Sequence, residues 1–381
     1  MEKQVISARQ FTIITLLSSM GTTIIIIPSS LAEIVKQDAW IAAILGVAIS
    51  LLLIKLYITV GNIIPSLSFV EVNEKVLGKF IGKTISLAFI IFAYLSVGEL
   101  LYFIGKFMQT EVMPETPTVA FSILFMLIIM FATYLGLEVF ARSAEILFPV
   151  FLLLFVIFVI FISPDINIQN IQPLFEATTG SFIYGILLFI SAFAFPSVVL
   201  LMIFPSGINV IKSAQKGFYI GTLFGGLILI ILITLSILVL GATNTSLRTF
   251  PSYALAQKIS IGNFLQRIEI IMTFMWITTI YIRLFIYFYA TVKGLGQLLN
   301  IKDHRPLILP LGMIAVALSL IVHPNIVHSD IFNKEIWLPY SSIFAVFLPL
   351  LLLLIAKIRK ISGKEVNIKK QPKTLLSEKD S

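Results

Sequence analysis

Apolar runs of roughly 20 residues recur about ten times between Phe11 and Ile358, and each is long enough to cross the hydrocarbon core of a bilayer as a helix. Lipid offers no water to unpaired backbone groups, so spanning segments must be helices or closed barrels. Runs such as 148–162 and 226–240 lack the alternating polar face of a barrel strand, which leaves helices. The fold class is therefore an all-α integral membrane protein.

At 381 residues, two or three soluble domains would fit, but 58% apolar and 12% charged content exclude them. One polytopic membrane domain, residues 1–360, uses nearly the whole chain, followed by a basic tail, 361–381, read as disordered and cytoplasmic. With no cysteine, disulfides and thiolate metal sites are excluded. The net charge of +8 comes largely from lysines between Lys357 and Lys379, which serve as a topogenic signal rather than a nucleic-acid footprint. Ser30-Leu31-Ala32 loosely resembles a signal-peptidase site, but the preceding run is too long and contains Pro28, so the first span is expected to be retained.

The predicted spans are 10–34, 40–60, 81–107, 119–137, 145–162, 182–204, 218–240, 267–292, 307–322 and 338–356. With both termini inside, Lys3, Arg9, Lys75, Lys79, Lys83, Arg142, Lys212, Lys216, Lys293, Lys302, Arg305 and the tail fall in the cytoplasm. Lys36, Lys106, Arg248, Lys258, Lys334 and, at a border, Arg267 fall outside. That bias is the one cytoplasmic loops show.

The halves of the chain, about 7–163 and 180–358, resemble one another. After the second span comes Pro65-Ser66-Leu67-Ser68-Phe69, and after the seventh Pro251-Ser252-Tyr253-Ala254. Each connection reads as a short amphipathic helix feeding a long span. Five spans per half is odd, so the repeats must be inverted, the plan of many secondary transporters.

In that plan the first helix of each repeat is broken at mid-membrane and its freed backbone groups build the ligand site. The first span carries Gly21-Thr22-Thr23 and Pro28, and the sixth carries Phe193-Ala194-Phe195-Pro196-Ser197. Glycine relaxes φ, and proline removes a donor and clashes one turn back. Two readings stand: ordinary kinks, or a pair of functional breaks at matching places.

Several of these residues resemble the B subunits of GerA-type spore germinant receptors: Gly21 to Pro28, Asp38-Ala39-Trp40-Ile41, Ser66-Leu67-Ser68-Phe69-Val70-Glu71, Leu77-Gly78-Lys79-Phe80-Ile81-Gly82-Lys83, and Gly262-Asn263-Phe264-Leu265-Gln266-Arg267-Ile268-Glu269 followed by Trp276-Ile277. The similarity runs from about Ser7 to Lys360. It implies a spore inner-membrane protein of the amino acid–polyamine–organocation superfamily, acting with an A subunit and a lipoprotein C subunit to sense small nutrients. Two positions depart from the family pattern. Thr22-Thr23 follow Gly21 where further small residues are expected, and Arg283 stands in place of a small polar residue.

Glu99 in the third span and Arg283 in the eighth are the deepest charges in the sequence. An unpaired charge at mid-bilayer costs at least ~2.5 kcal/mol, so each must face protein or water. At ~1.5 Å per residue, Glu99 lies about 7 Å outward of its helix centre and Arg283 about 5 Å inward of its own. Either they pair, with Arg283 reaching outward, or each is separately satisfied by solvent or backbone. Thr279, Arg283 and Tyr287 recur every fourth residue, and Ser96, Glu99 and Tyr102 are close in angle, so two polar stripes face out from symmetry-related helices. They fit a ligand-lined cavity or polar packing between helices. Arg267 and Glu269 read as anchors of the preceding loop. Gly221-x-x-x-Gly225 and Gly78-x-x-x-Gly82 permit close helix approach. His304, His323 and His328 have no metal-ligand spacing, and no nucleophile–base pair or phosphate-binding loop occurs.

The expected function is a membrane receptor subunit that binds a small germinant, most simply an amino acid, and signals to partner subunits. The alternative is an amino-acid permease coupled to H⁺ or Na⁺. Bulky Ile24 to Ile27 beside the first break, with Phe193 and Phe195 beside the second, suit a closed pocket better than a transport cycle. The ligand-binding candidates are Gly21, Thr22, Thr23, Ser96, Glu99, Phe193, Pro196, Thr279, Arg283 and Tyr287; no catalytic residue, cofactor, metal or nucleic acid is implied.

Overall fold

A computed structural model describes residues 5–259 and 269–361; Arg267, the 262–268 part of the second connecting loop and the tail from 362 onward lie outside the described residues. Among the described residues the chain is helical, its β pairing confined to a bridge between Ile6 and Ile208. Eight helical runs there are long and apolar enough to cross a membrane, with a shorter apolar helix at Arg305–Ile321.

The helices are α1 (Ala8–Met20), α2 (Thr23–Val35), α3 (Ala39–Gly61), α4 (Phe69–Leu77), α5 (Lys79–Phe107), α6 (Thr118–Leu135), α7 (Leu137–Ile162) and α8 (Thr179–Phe193). Then follow α9 (Ile211–Leu240), α10 (Ala242–Ser246), α11 (Pro251–Lys258), α12 (Glu269–Leu298), α13 (Ile308–Ile321), α14 (Ile326–Ile331), α15 (Trp337–Ser342) and α16 (Leu348–Ile358). The last three are joined by π turns over Phe332–Ile336 and Ile343–Phe347. One 39-residue apolar run, Thr23–Gly61, is interrupted by a 3₁₀ turn over Lys36–Asp38, with Lys36 at φ +51°.

Local sequence accounts for the helix starts. Ser7 with Gln10, and Ser68 with Glu71, form reciprocal capping boxes at α1 and α4, satisfying donors that an N-terminus otherwise leaves unpaired. Inside α2, Pro28 cannot donate to the carbonyl of Ile24, and the Ser252 hydroxyl of α11 takes it at 2.7 Å. The proline is thus accommodated by a side chain more than 200 residues away in sequence, and the helix breaks elsewhere.

Burial separates the centre from the rim. The 179–202 segment is 83% buried, whereas the apolar window of 137–165 is 22% buried. Leu52, Phe131, Ile146 and Leu153 are each more than half exposed, large apolar side chains that lipid would cover. At the centre, α9 lies against α1 because glycines remove side chains from the contact. A Cβ at Gly221 would sit 2.6 Å from the Thr12 carbonyl, and one at Gly225 would sit 2.4 Å from the Ser19 hydroxyl. The predicted role of this Gly-x-x-x-Gly pair in close packing holds.

The loop before α8 is pinned by Asp38, which is fully buried. Its carboxylate accepts the backbone N–H groups of Phe175 at 2.8 Å, Glu176 at 3.0 Å and Ala177 at 3.3 Å. Beside it, the exposed Glu176 carboxyl is held below the usual range by a hydrogen bond from Gln37 and by the nearby Lys36.

Candidate functional site at the broken helices

α1 ends at Met20 and α2 starts at Thr23, with Gly21 at φ +32° between them. Such an interruption leaves carbonyls of the last α1 turn without helical donors. The guanidinium of Arg283, from α12, supplies them. Its Nε donates to the Ser18 carbonyl at 2.6 Å and its Nη2 to the Ser19 carbonyl at 2.5 Å. Nη2 also reaches the Thr23 hydroxyl at 3.3 Å and the Ala192 carbonyl at 3.4 Å, while Nη1 donates to the Thr22 hydroxyl at 3.2 Å.

Ala192 belongs to the last turn of α8, so one planar fork ties together the C-terminal ends of two interrupted helices. Five fixed donors make Arg suited to this; a lysine ammonium has three on one atom. Each helix C-terminus carries partial negative charge, so a cation where two of them converge is electrostatically favoured. The Thr23 hydroxyl donates to Ala192 O at 2.8 Å and the Thr279 hydroxyl to Gly21 O at 3.2 Å, closing the joint. Glycine is required at position 21 for space as well as for φ, since a Cβ there would lie 2.0 Å from Arg283 Nε.

The second break follows the same logic. α8 stops at Phe193, Pro196 follows, and the chain tightens into 3₁₀ turns over Phe195–Met202. The Trp337 indole donates to Ser191 O at 3.1 Å, and Lys293 Nζ to Met202 O at 3.2 Å.

Between the breaks lies a cavity of about 70 Å³, room for several water molecules by the same measure. Thr22, Thr23, Ser96, Glu99, Pro196, Arg283 and Tyr287 all line it. Gly21 and Thr279 form the joint just behind. Phe193 does not face it: its ring packs beside Phe189 at 5.2 Å and over Gly226, because the helix turns it to the opposite side from Ser191 and Ala192. A vestibule of about 290 Å³ adjoins the cavity, and the two share Ile26, Ser30, Phe103 and Asn333.

Of the two alternatives for the deep charges, separate satisfaction is found. Arg283 is bonded to backbone and threonines, and Glu99 Oε1 meets His323 Nε2 at 2.9 Å. Sequence spacing gave no sign of His323, which lies 224 residues from Glu99. Trp337 and Asn333, also in the cavity wall, were likewise unsignalled, since they sit where π turns shift the helical register. Among the described residues no His, Asp and Glu cluster has the arrangement of a metal site.

An all-helical bundle with two helices interrupted around a small cavity, mostly apolar with a few polar side chains in its wall, has the make-up of a permease-like, multi-pass membrane protein. The profile of the family described as "Spore germination protein" matches residues 5–327. Spore germination protein KB of Bacillus subtilis (strain 168) is 30% identical over 359 residues, covering 91% of this chain and 94% of that protein. Spore germination protein YndE of the same organism is 24% identical, covering 93% and 97%; the putative spore germination protein YfkT is 28% identical over about half of each chain. The chain belongs to the spore germination protein family, as the resemblance read from its sequence implied.

Proposed function

We propose that this chain is the membrane subunit of a nutrient-germinant receptor, binding a small germinant in the cavity between the broken helices and signalling through their movement. One observation carries the reading: the Arg283 guanidinium occupies the joint between α1, α8 and α12. In a coupled transporter of this plan, unwound carbonyls and helix C-termini hold an ion that arrives and leaves. Here the cation is covalently tethered, which favours a sensor over a Na⁺-coupled cycle. The Thr22 hydroxyl and Arg283 Nη1 on one wall and the Glu99 carboxylate on another suit the two opposite charges of an amino acid.

Ten crossings in a five-plus-five inverted repeat are part of the proposal. The 23–61 run turns at Lys36 and the 308–321 helix counts as a crossing; each half then has a broken first helix and a short helix, α4 or α11, before a long one. In this reading the chain sits in the spore inner membrane with both termini facing the cytoplasm, as the bias of basic residues suggests. An A subunit and a lipoprotein C subunit complete the receptor.

Spores with and without the gene, presented with single amino acids, test the proposal; loss of response to at least one is expected, and unchanged responses to all retire it. Uptake of labelled amino acid into vesicles holding the purified chain would select the permease reading instead.

A further inference from the structure

Glu99 is the inner end of a row of three side chains. His323, in the turn after α13, places Nε2 2.9 Å from Glu99 Oε1 and Nδ1 3.0 Å from Nδ1 of His328 on α14. The His323 side chain is 1% exposed and that of Glu99 11%, whereas His328 is exposed. Asn325 caps α14 by accepting the His328 N–H at 2.8 Å, which fixes the turn that brings the rings together. Tyr102 and Phe332 wall His323, with ring centroids at 5.0 and 5.4 Å.

Only one hydrogen fits between two Nδ1 atoms, so one ring donates and the other accepts. If His323 accepts there as a neutral ring, its proton is on Nε2 and points to Glu99. The row then has a direction, from His328 Nδ1–H to His323 Nδ1, and from His323 Nε2–H to the Glu99 carboxylate. It begins at the protein surface and ends in the cavity wall.

We propose that His328 and His323 relay protons between the surface and Glu99, setting the charge of the cavity wall. A proton from water adds to Nε2 of His328, which passes its Nδ1 proton to Nδ1 of His323; His323 releases its Nε2 proton to Glu99. One proton has moved from water to the carboxylate, both rings are neutral in the opposite tautomer, and nothing is oxidised or reduced. Imidazole is the side chain that exchanges protons readily near neutral pH. Among the other ionisable groups facing the row, Arg283 of α12 shares the cavity lining with Glu99. Tyr287 of α12 and Tyr340 of α15 interact electrostatically with Glu99. Lys106 of α5, Arg248 beyond α10, and Asp330 and Lys334 flank the surface end in the vestibule, where Lys334 is paired to Asp330 and to Glu33 of α2 at 2.6 Å each. The relay is independent of what the cavity binds.

The test is infrared spectroscopy of the full-length chain in lipid nanodiscs after a rapid drop from about pH 8 to about pH 5, the range in which imidazole changes charge. A carboxylic-acid carbonyl band absent from Glu99→Gln reports protonation of Glu99. His328→Ala, a surface change, is expected to slow the rise of that band about a hundredfold, the low end of what positioned proton transfer contributes, and to leave its final size unchanged. His323→Gln is expected to slow it as well. An unchanged rate in His328→Ala, or no band lost in Glu99→Gln, overturns the relay. Neither readout depends on germinant binding, so failure here leaves the receptor reading standing.

Discussion

Gly21 and Arg283 should behave as one unit. Arg283→Ala leaves the Ser18 and Ser19 carbonyls without the donor that reaches them, while Ala192 O keeps the Thr23 hydroxyl. Hydrogen bonds to a charged group contribute about 1.5–3 kcal/mol each, and the two short ones to Ser18 and Ser19 are lost together. A loss of roughly 3–5 kcal/mol is expected. Gly21→Ala should cost nearly as much by another route: its methyl group would sit 2.0 Å from Nε and expel the guanidinium, with about 1–2 kcal/mol of backbone strain added at positive φ. In the double variant the fork is lost only once, so the two costs should fall short of additivity by about 2–3 kcal/mol. Reversible unfolding of the four purified full-length chains in mixed micelles measures this cycle. Additivity to within about 0.5 kcal/mol would refute the claim that Gly21 exists to admit Arg283.

The emptied joint of Arg283→Ala is an oxygen cage of three carbonyls and the Thr22 and Thr23 hydroxyls, so sodium should raise the melting temperature of that variant and not of the natural chain; equal responses count against the tethered cation. Asp38→Asn turns one of two accepting oxygens into a donor facing backbone N–H groups, and should cost about 1–3 kcal/mol and make the loop before α8 sensitive to limited proteolysis. Burial pushes the His304 imidazole below its ordinary value, so the neutral ring is favoured in the folded chain. Its share of stability is complete above about pH 6.5 and is lost as pH falls from there through the lowered folded value; His304→Gln should flatten that part of the melting-temperature profile.

The class of fold was legible because lipid imposes it: long apolar runs admit few alternatives. The break at Gly21 was legible for a related reason, glycine and proline being rare punctuation in such runs. Its exact cause was not. Pro28 looked like part of the break, yet α2 runs through it because Ser252 takes the carbonyl that it frees. Depth alone required Arg283 and Glu99 to be satisfied. The partners stayed hidden for two different reasons. Arg283 bonds to backbone carbonyls, which every residue carries and no pattern reveals, and Glu99 meets a histidine from another part of the chain. Phe193 lies outside the cavity lining because α8 ends there with its ring against Phe189 and Gly226, while Pro196 belongs to the 3₁₀ turns that follow.

Distance along the chain also sets a timetable for synthesis. Ser18 and Arg283 are 265 residues apart, so at roughly 5–20 residues per second the ribosome needs about 13–50 s to deliver the guanidinium after the first helix has left the tunnel. Through that interval the interrupted helix must rest with its carbonyls facing water or the insertion machinery. A chain stopped before α12 never acquires its lock, and membrane proteases that recognise an unfinished helix would have a ready mark by which to remove it.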